Sequence, residues 1–415
     1  MESIEADIVI VGAGTAGCVL ASRLSENPAL RVLLLEAGGE DDNRWIRVPS
    51  GILKTIGNPQ LDWCLNTDPV PGLNGRRMPY PRGKVLGGTG SLNGMIYIRG
   101  NPRDYDRWEE SGNEGWGWRD VLPYFVRAEA NQRGGDAFHG ASGPISVSDI
   151  GRDRLADAFL QAAGQAGFPL IDDFNGASQE GAAYYQMMTR RGRRACGAEA
   201  YLRPAMKRAN LQVLTSAHVT RVLFDGRRAI GVEFKRGETL TKALARREVV
   251  LAGGAFHSPQ VLQLSGVGPA ERLGEHGIAL AADLPGVGAN LQDHLQVRTL
   301  CRCTLPITIN DKLNSRLRMA AELLRYAMWG TGILAWGPWR TGLFACSSAS
   351  TGWPDLQMHF GPVGFRSINE PPTSYPSFTL SVCLLRPSSR GSVTIASRDS
   401  FTPPRIQAEF LASEN

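Results

Sequence analysis

The chain opens on a change of hydrophobic period. Ala6–Gly14 reads ADIVIVGAG, a short apolar run ending in glycines, which predicts a buried strand. CVLASRLSE then spaces Val19, Leu20 and Leu24 at helical intervals, and RVLLLE returns to a strand ending on an acid. Strand, helix, strand in residues 6–36 predicts a βαβ unit with a parallel sheet. Residues 40–81 lose this periodicity and fill with Pro, Gly and Asn, which predicts loops. DVLPYF, in a segment with Trp108, Trp116 and Trp118, predicts a short helix. GPISVSD (Gly143–Asp149) predicts a strand opening a second sheet, with helices from Arg152 to Ala166 and from Ala198 to Arg208. LQVLTSAHVTRVLFDGRRAIGVEFKRG predicts a β-meander with its hairpin at Asp225–Gly226. EVVLAGGAFHSPQVLQLSG repeats the strand, glycine turn, helix order. Beyond residue 296, LQMHF, FTLSVCLL and GSVTIAS predict strands, with an amphipathic helix near Asn314–Trp329.

A length of 415 residues exceeds one simple core, so two domains are expected. Residues are 42% hydrophobic and 20% charged, the balance of an ordinary globular protein. No run of about 18 apolar residues predicts a membrane span. Met1–Glu5 holds two acids and no basic region, which leaves no room for a signal peptide. The expected location is the cytoplasm, with a peripheral place at a membrane surface left open. The net charge of +5 is thinly spread. Its densest patch is Arg190, Arg191, Arg193 and Arg194, with Arg203, Lys207 and Arg208 beyond. A solvated face is the plain reading and an anionic ligand or lipid headgroup the sharper one. No nucleic-acid module is present. The seven cysteines lack CxxC spacing, which favours reduced thiols over a disulfide frame or metal site.

Three glycine motifs carry the chemistry. Gly12, Gly14 and Gly17 form G-x-G-x-x-G between a strand and a helix. Gly12 makes the tight turn, Gly14 lets backbone meet a pyrophosphate, and Gly17 lets the helix pack on the sheet. Glu36 ends the next strand about 20 residues on, where an acid accepts hydrogen bonds from an adenosine ribose. That acid favours FAD or NAD over NADP. Arg82–Gly100 (RGKVLGGTGSLNGMIYIRG) lets backbone approach a flat or charged ligand. Leu251–Gly268 is a second strand–glycine–helix element, expected beside the same dinucleotide. In GVGANLQDH (Gly286–His294), Asp293 and His294 are catalytic by residue type, though a hydrogen-bonding structural role fits them better.

Together these segments resemble the GMC (glucose–methanol–choline) flavoprotein oxidoreductases, in order along the whole chain. GAGTAGCVLASRLSE with LLLEAGG is similar to the family's flavin-binding unit, GKVLGGTGSLNGMIYIRG to its first signature, and GGAFHSPQVLQLSGVG to its second. LDWCLNTDPVPGLNGRRMPYPRGK, NPRDYDRWEESG and LRPSSRGSVTIASRD resemble the choline-dehydrogenase-like alcohol dehydrogenase branch. The resemblance implies an α/β (α+β overall) fold, with a Rossmann-like FAD-binding domain and a substrate-binding domain built on an antiparallel sheet. The flavin domain would hold residues 1–142 and 198–295, the substrate domain 143–197 and 296–415.

The implied activity is oxidation of a primary alcohol to an aldehyde by hydride transfer to noncovalent FAD, with oxygen or quinone as acceptor. No histidine lies in the first signature, which excludes the family's covalent tether through that residue. Implied cofactor contacts are Gly12, Gly14, Thr15, Ala16, Gly17, Glu36, Ala37, Val85, Gly88, Asn93, Gly94, Met95, Ile96, Val219, Ala252 and Gly253. The family's usual serine pair is Thr89–Gly90 here, leaving Ser91 as the nearest hydroxyl. His359, in PDLQMHFGPVGF, resembles a histidine that lines the substrate pocket of choline-oxidising relatives. The family's base is a histidine expected beyond Asn415. The ending at FLASEN is read as a second chain carrying that segment or as an incomplete record, in preference to an inactive protein. Two rival readings are a lyase or decarboxylase on the same fold and a noncatalytic flavin-binding subunit. The loop GPVGFRSINE lacks the cysteine of decarboxylating relatives.

Overall fold

The computed structural model describes residues 3–366 and 370–412. One sheet holds β1 (Ser3–Val11), β2 (Val32–Leu35), β3 (Leu211–Leu214), β4 (His218–Asp225), β5 (Arg228–Arg236) and β6 (Thr239–Leu251). Its spatial order is β3-β2-β1-β6-β5-β4. β3, β2, β1 and β6 run parallel, and β5 and β4 extend the sheet antiparallel. The apolar runs of β1 and β2 are continuous because both faces are covered. Ile8, Ile10, Val32 and Leu34 pack against Cys18 and Ala21 of α1 (Thr15–Leu24). Val9, Val11, Leu33 and Leu35 pack on the other face with Val232 and Phe234.

The expected meander is shorter than its sequence pattern. Leu211–Leu214 leaves it and pairs with β2 on the far side of the sheet. The connection crosses the carboxyl end of β2, where Ser216 N–H donates to Gly38 O and Ala217 N–H donates to Glu36 O. Ser216 takes φ 55° to make that crossing. The hairpin at Asp225–Gly226 is present, as β4 and β5 pair antiparallel.

A second, fully antiparallel sheet runs in the order Gln296–Arg302, Ser377–Leu384, Leu356–Gly361, Thr341–Ala345, Gly181–Tyr184. Ile145–Asp149 does not open this sheet, contrary to its sequence reading. It pairs instead with Glu129–Asn131 and Gln186–Met187 in a separate small sheet. Buried polar side chains accompany that choice: Asn131 Nδ2 donates to Gln186 Oε1 at 3.0 Å and to Glu129 Oε1 at 2.8 Å. Paired polar groups of this kind carry no hydrophobic signature.

Candidate active site

The glycine motifs meet at the carboxyl ends of β1, β2 and β6. Gly12 takes φ 99°, and a Cβ there would sit 2.7 Å from the Ala252 carbonyl oxygen. The two glycine turns are thus in backbone contact. A Cβ on Gly17 would collide with the Gly12 carbonyl oxygen, so the first turn of α1 packs on the glycine turn itself. Gly14 is different. Its Cβ would meet only Ala252 O, at 3.9 Å, and would otherwise point into open space. Gly14 is also the N-cap of α1 and gives the helix no capping side chain. The first-turn N–H groups therefore need acceptors from outside the helix, and the helix dipole favours an anion there.

The cleft beside this turn holds about 350 Å³. Gly12, Gly14, Thr15, Ala16, Glu36, Ala37, Gly88, Val219, Ala252 and Gly253 line it. Glu36 is almost wholly buried. Its Oε2 accepts from Ala13 N–H and its Oε1 from Gly38 N–H, both at 2.8 Å. Burial pushes the carboxyl up to about 7, against the pull of those two donors. The acid therefore braces the glycine turn while facing the cleft.

The remaining expected contacts lie elsewhere. Gly17 is behind the turn, and Val85 is fully buried with Ile46, Leu61 and Leu92. Ser91 is fully buried, and its hydroxyl donates to Leu86 O at 2.7 Å. Asn93, Gly94, Met95 and Ile96 run on toward the second sheet. Asn93 Oδ1 accepts from Met95 N–H, Met95 takes φ 62°, and Ile96 bridges to Met187. Gly94 O packs against Gly337, where a Cβ would come within 2.9 Å.

Arg194 belongs to this loop, although its sequence context groups it with a solvated patch. It is buried; its Nη1 donates to Asn93 Oδ1 at 3.0 Å and to Gly90 O at 3.1 Å. Burial lowers its pKa to about 10. Trp63, Arg82, His218 and His257 also line the cleft, and Trp63 and His218 stand in no glycine motif. Trp63 lies 4.3 Å from the His257 ring, and His218 stacks on Phe401 at 4.3 Å. Burial lowers His257 to about 4, so it is a neutral wall near neutral pH.

His359 sits on the second sheet, outside that cleft. Its Nδ1 is 3.0 Å from Tyr185 Oη. Gln357 Nε2 donates to the same oxygen at 3.1 Å, and the tyrosine proton has two acceptors in reach, His359 Nδ1 and Met358 O at 3.4 Å. Burial, with Arg298 and His294 nearby, lowers His359 to about 4 and keeps the ring neutral. His294 is exposed, and its Nε2 donates to Leu385 O at 2.9 Å, a structural link. Among the described residues, no cluster of His, Cys, Asp and Glu is placed to hold a metal.

A glycine turn at the carboxyl edge of a parallel sheet, opposite a buried acid, defines a dinucleotide-binding protein. The chain belongs to the GMC oxidoreductase family, whose model matches residues 6–296. It is 42% identical to an oxygen-dependent choline dehydrogenase of Brucella suis, covering 99% of this chain and 75% of that one. Human mitochondrial choline dehydrogenase is 41% identical, with coverages of 99% and 70%. Among solved structures, pyridoxine 4-oxidase from Mesorbium loti matches with a TM-score of 0.88 at 30% identity, covering 99% of this chain and 77% of that one. Aspergillus oryzae formate oxidase matches with a TM-score of 0.91 at 28% identity, with coverages of 100% and 78%. The protein is an FAD-dependent oxidoreductase acting on CH–OH groups. The matched region forms about three quarters of one chain in these relatives, which lends no support to a second polypeptide.

Proposed function

We propose that the protein oxidises a primary alcohol to its aldehyde, with oxygen as the electron acceptor. The observation that carries this reading is the open space in front of Gly14, beside an uncapped helix terminus. It fits a pyrophosphate, with Gly12, Gly14, Thr15 and Ala16 around it, Glu36 toward the ribose and Val219 toward the adenine. Gly88, Ala252 and Gly253 complete the wall. We assign Asn93–Ile96 to the ring end because they lead from that wall toward the second sheet. FAD, when bound, supplies the two-electron acceptor. The chain's own task at the substrate is orientation. Neutral His359 presents Nε2–H as a donor and holds the alcohol oxygen rather than removing its proton. In this reading Tyr185 donates to the nearer His359 Nδ1 rather than to Met358 O, which puts the imidazole proton on Nε2.

Anaerobic addition of alcohols to the FAD-loaded protein is expected to bleach its yellow absorbance. Bound flavin that no alcohol bleaches would favour the noncatalytic reading. His359→Ala is expected to lower kcat/KM by about tenfold to a hundredfold, the range for one lost hydrogen bond to a polarised oxygen, with flavin binding unchanged. Unchanged kinetics would return His359 to a structural role.

We place the protein in the cytoplasm, against a membrane surface. Among the described residues no helix is long and apolar enough to cross a membrane. The supporting element is α2 (Arg316–Trp329), which points its one acid, Glu322, inward to Lys312. Its outer side exposes Leu317, Leu324, Met328 and Trp329 beside Arg318 and Arg325. Apolar residues flanked by arginines suit an anionic interface. The protein is expected to float with phosphatidylglycerol-containing vesicles and to lose that binding in Leu324→Glu/Met328→Glu. Equal binding by the variant would overturn the placement.

A further inference from the structure

The second sheet carries a polar row across one face. Arg298 is opposite Ser381, Ser381 is opposite His359, and His359 is opposite Gly342. Directly cross-strand residues point to the same side of a sheet, so Arg298 and His359 share a face two strands apart. Gln296 and Gln357 lie two residues before them on the same strands and share that side. Ser381 Oγ donates to Gln296 Oε1 at 3.3 Å. Such a row is unusual on a half-buried sheet face, where apolar residues normally stand.

Aromatic rings tie the two ends of the row together. The Arg298 guanidinium lies 5.9 Å from the Trp339 ring and 5.5 Å from the Phe365 ring. Trp339 in turn lies 5.4 Å from the His359 ring. The charge of Arg298 reaches His359 and contributes to keeping it neutral. Among the described residues, Arg298 makes no ion pair with a carboxylate. Its polar contact is a 3.4 Å approach to Gln296 Oε1. The aromatic surfaces around it are already occupied by a cation.

We infer that Arg298 determines the substrate class of this site: an alcohol bearing a carboxylate or another oxygen acceptor, and not one bearing a quaternary ammonium. The inference rests on His359 holding the alcohol oxygen. An ammonium head reaching from that point along the row would meet the Arg298 guanidinium with no carboxylate of the described residues between them, and it would find Trp339 and Phe365 already taken. A carboxylate in the same place gains a charge-assisted hydrogen bond. The names of the choline dehydrogenase relatives therefore do not carry their substrate across to this chain.

The test compares three alcohols on the FAD-loaded protein: choline, its uncharged isostere 3,3-dimethylbutan-1-ol, and 4-hydroxybutyrate. The expected order of kcat/KM is 4-hydroxybutyrate, then the isostere, then choline. Choline should trail the isostere by about tenfold, as two like charges on one sheet face require. Arg298→Gln should remove most of the gap between choline and its isostere, and should raise KM for 4-hydroxybutyrate by about tenfold. Arg298→Lys should restore part of the preference by charge alone. Competition by choline and by butyrate, read from flavin absorbance changes without turnover, should follow the same order. Choline matching or exceeding its isostere in the unaltered protein, or a ratio unmoved by Arg298→Gln, would overturn the assignment. Failure of these three and of every other alcohol to bleach the flavin would instead defeat the proposed function itself.

Discussion

Gly14→Val is expected to give a folded protein that holds no flavin. The φ of −67° and ψ of −173° at this residue are extended backbone, which valine adopts readily. Its Cβ would meet only Ala252 O, at 3.9 Å, so the chain itself has room for it. The added methyls occupy the space where the pyrophosphate approaches. A ligand that must move away from fixed backbone loses its N–H contacts, at a cost of about 3 kcal/mol or more and a weakening beyond about a hundredfold. Thermal melting of the protein without FAD should be close to that of the parent, and FAD titration should show no saturation. Gly12→Val makes the contrasting case. With φ at 99° and the Ala252 carbonyl 2.7 Å from a Cβ, it is expected to destabilise the fold as well. Parent-like flavin affinity in Gly14→Val would place the pyrophosphate somewhere other than this turn.

Arg99→Met is expected to cost about 3–5 kcal/mol of stability, because it strands a buried carboxylate. Arg99 Nη2 donates to Glu129 Oε2 at 2.7 Å, and both side chains are almost wholly buried. His139 completes the network. Its Nε2 lies 2.6 Å from Asp173 and its Nδ1 3.0 Å from Glu129. The bonds to Asp173 and Glu129 raise His139 from 6.5 to about 9, with burial opposing. A folded pKa above the unfolded one stabilises fully below pH 6.5, and that contribution is lost as pH rises through about 9. In Arg99→Met the imidazolium is the remaining charged partner of Glu129, so the variant should lose further stability over that alkaline range. Chemical denaturation across pH measures both effects. Adding Glu129→Gln to Arg99→Met should recover part of the loss. A single-variant cost below about 1 kcal/mol would mean that the network contributes no more than a surface pair.

The glycine turn and the acid beside it were legible because their signals are local. Gly12, Gly14 and Gly17 follow one strand and open one helix, and Glu36 ends the next strand. Strand and helix periods and the glycine spacing are all set within a few tens of residues. LQMHF and FTLSVCLL were legible as strands of the second sheet, and its antiparallel class was implied by the family resemblance. The partner of Ile145–Asp149 was not, since buried amides and Glu129 select it rather than apolar alternation.

Other parts of the site had no local signal. Arg194 shares a run with Arg190, Arg191 and Arg193, yet it alone of the four is buried, under Asn93 and Gly90. Trp63 and His257 are almost two hundred residues apart in sequence and touch in the cleft wall. Leu211–Leu214 has the alternation of a meander strand, but the path across β2 carries it to the opposite edge.

By itself the sequence determined the dinucleotide turn and the acid that ends the next strand, and its ordered motifs carried the family resemblance. The turn and the acid follow from periodicity and from backbone geometry that glycine allows. The tertiary structure decided which polar groups share a surface: Arg194 with the flavin loop, Tyr185 with His359, and Arg298 with His359 across two strands. Burial and cross-strand register set those neighbours, and both depend on pairings between segments that the chain order does not encode.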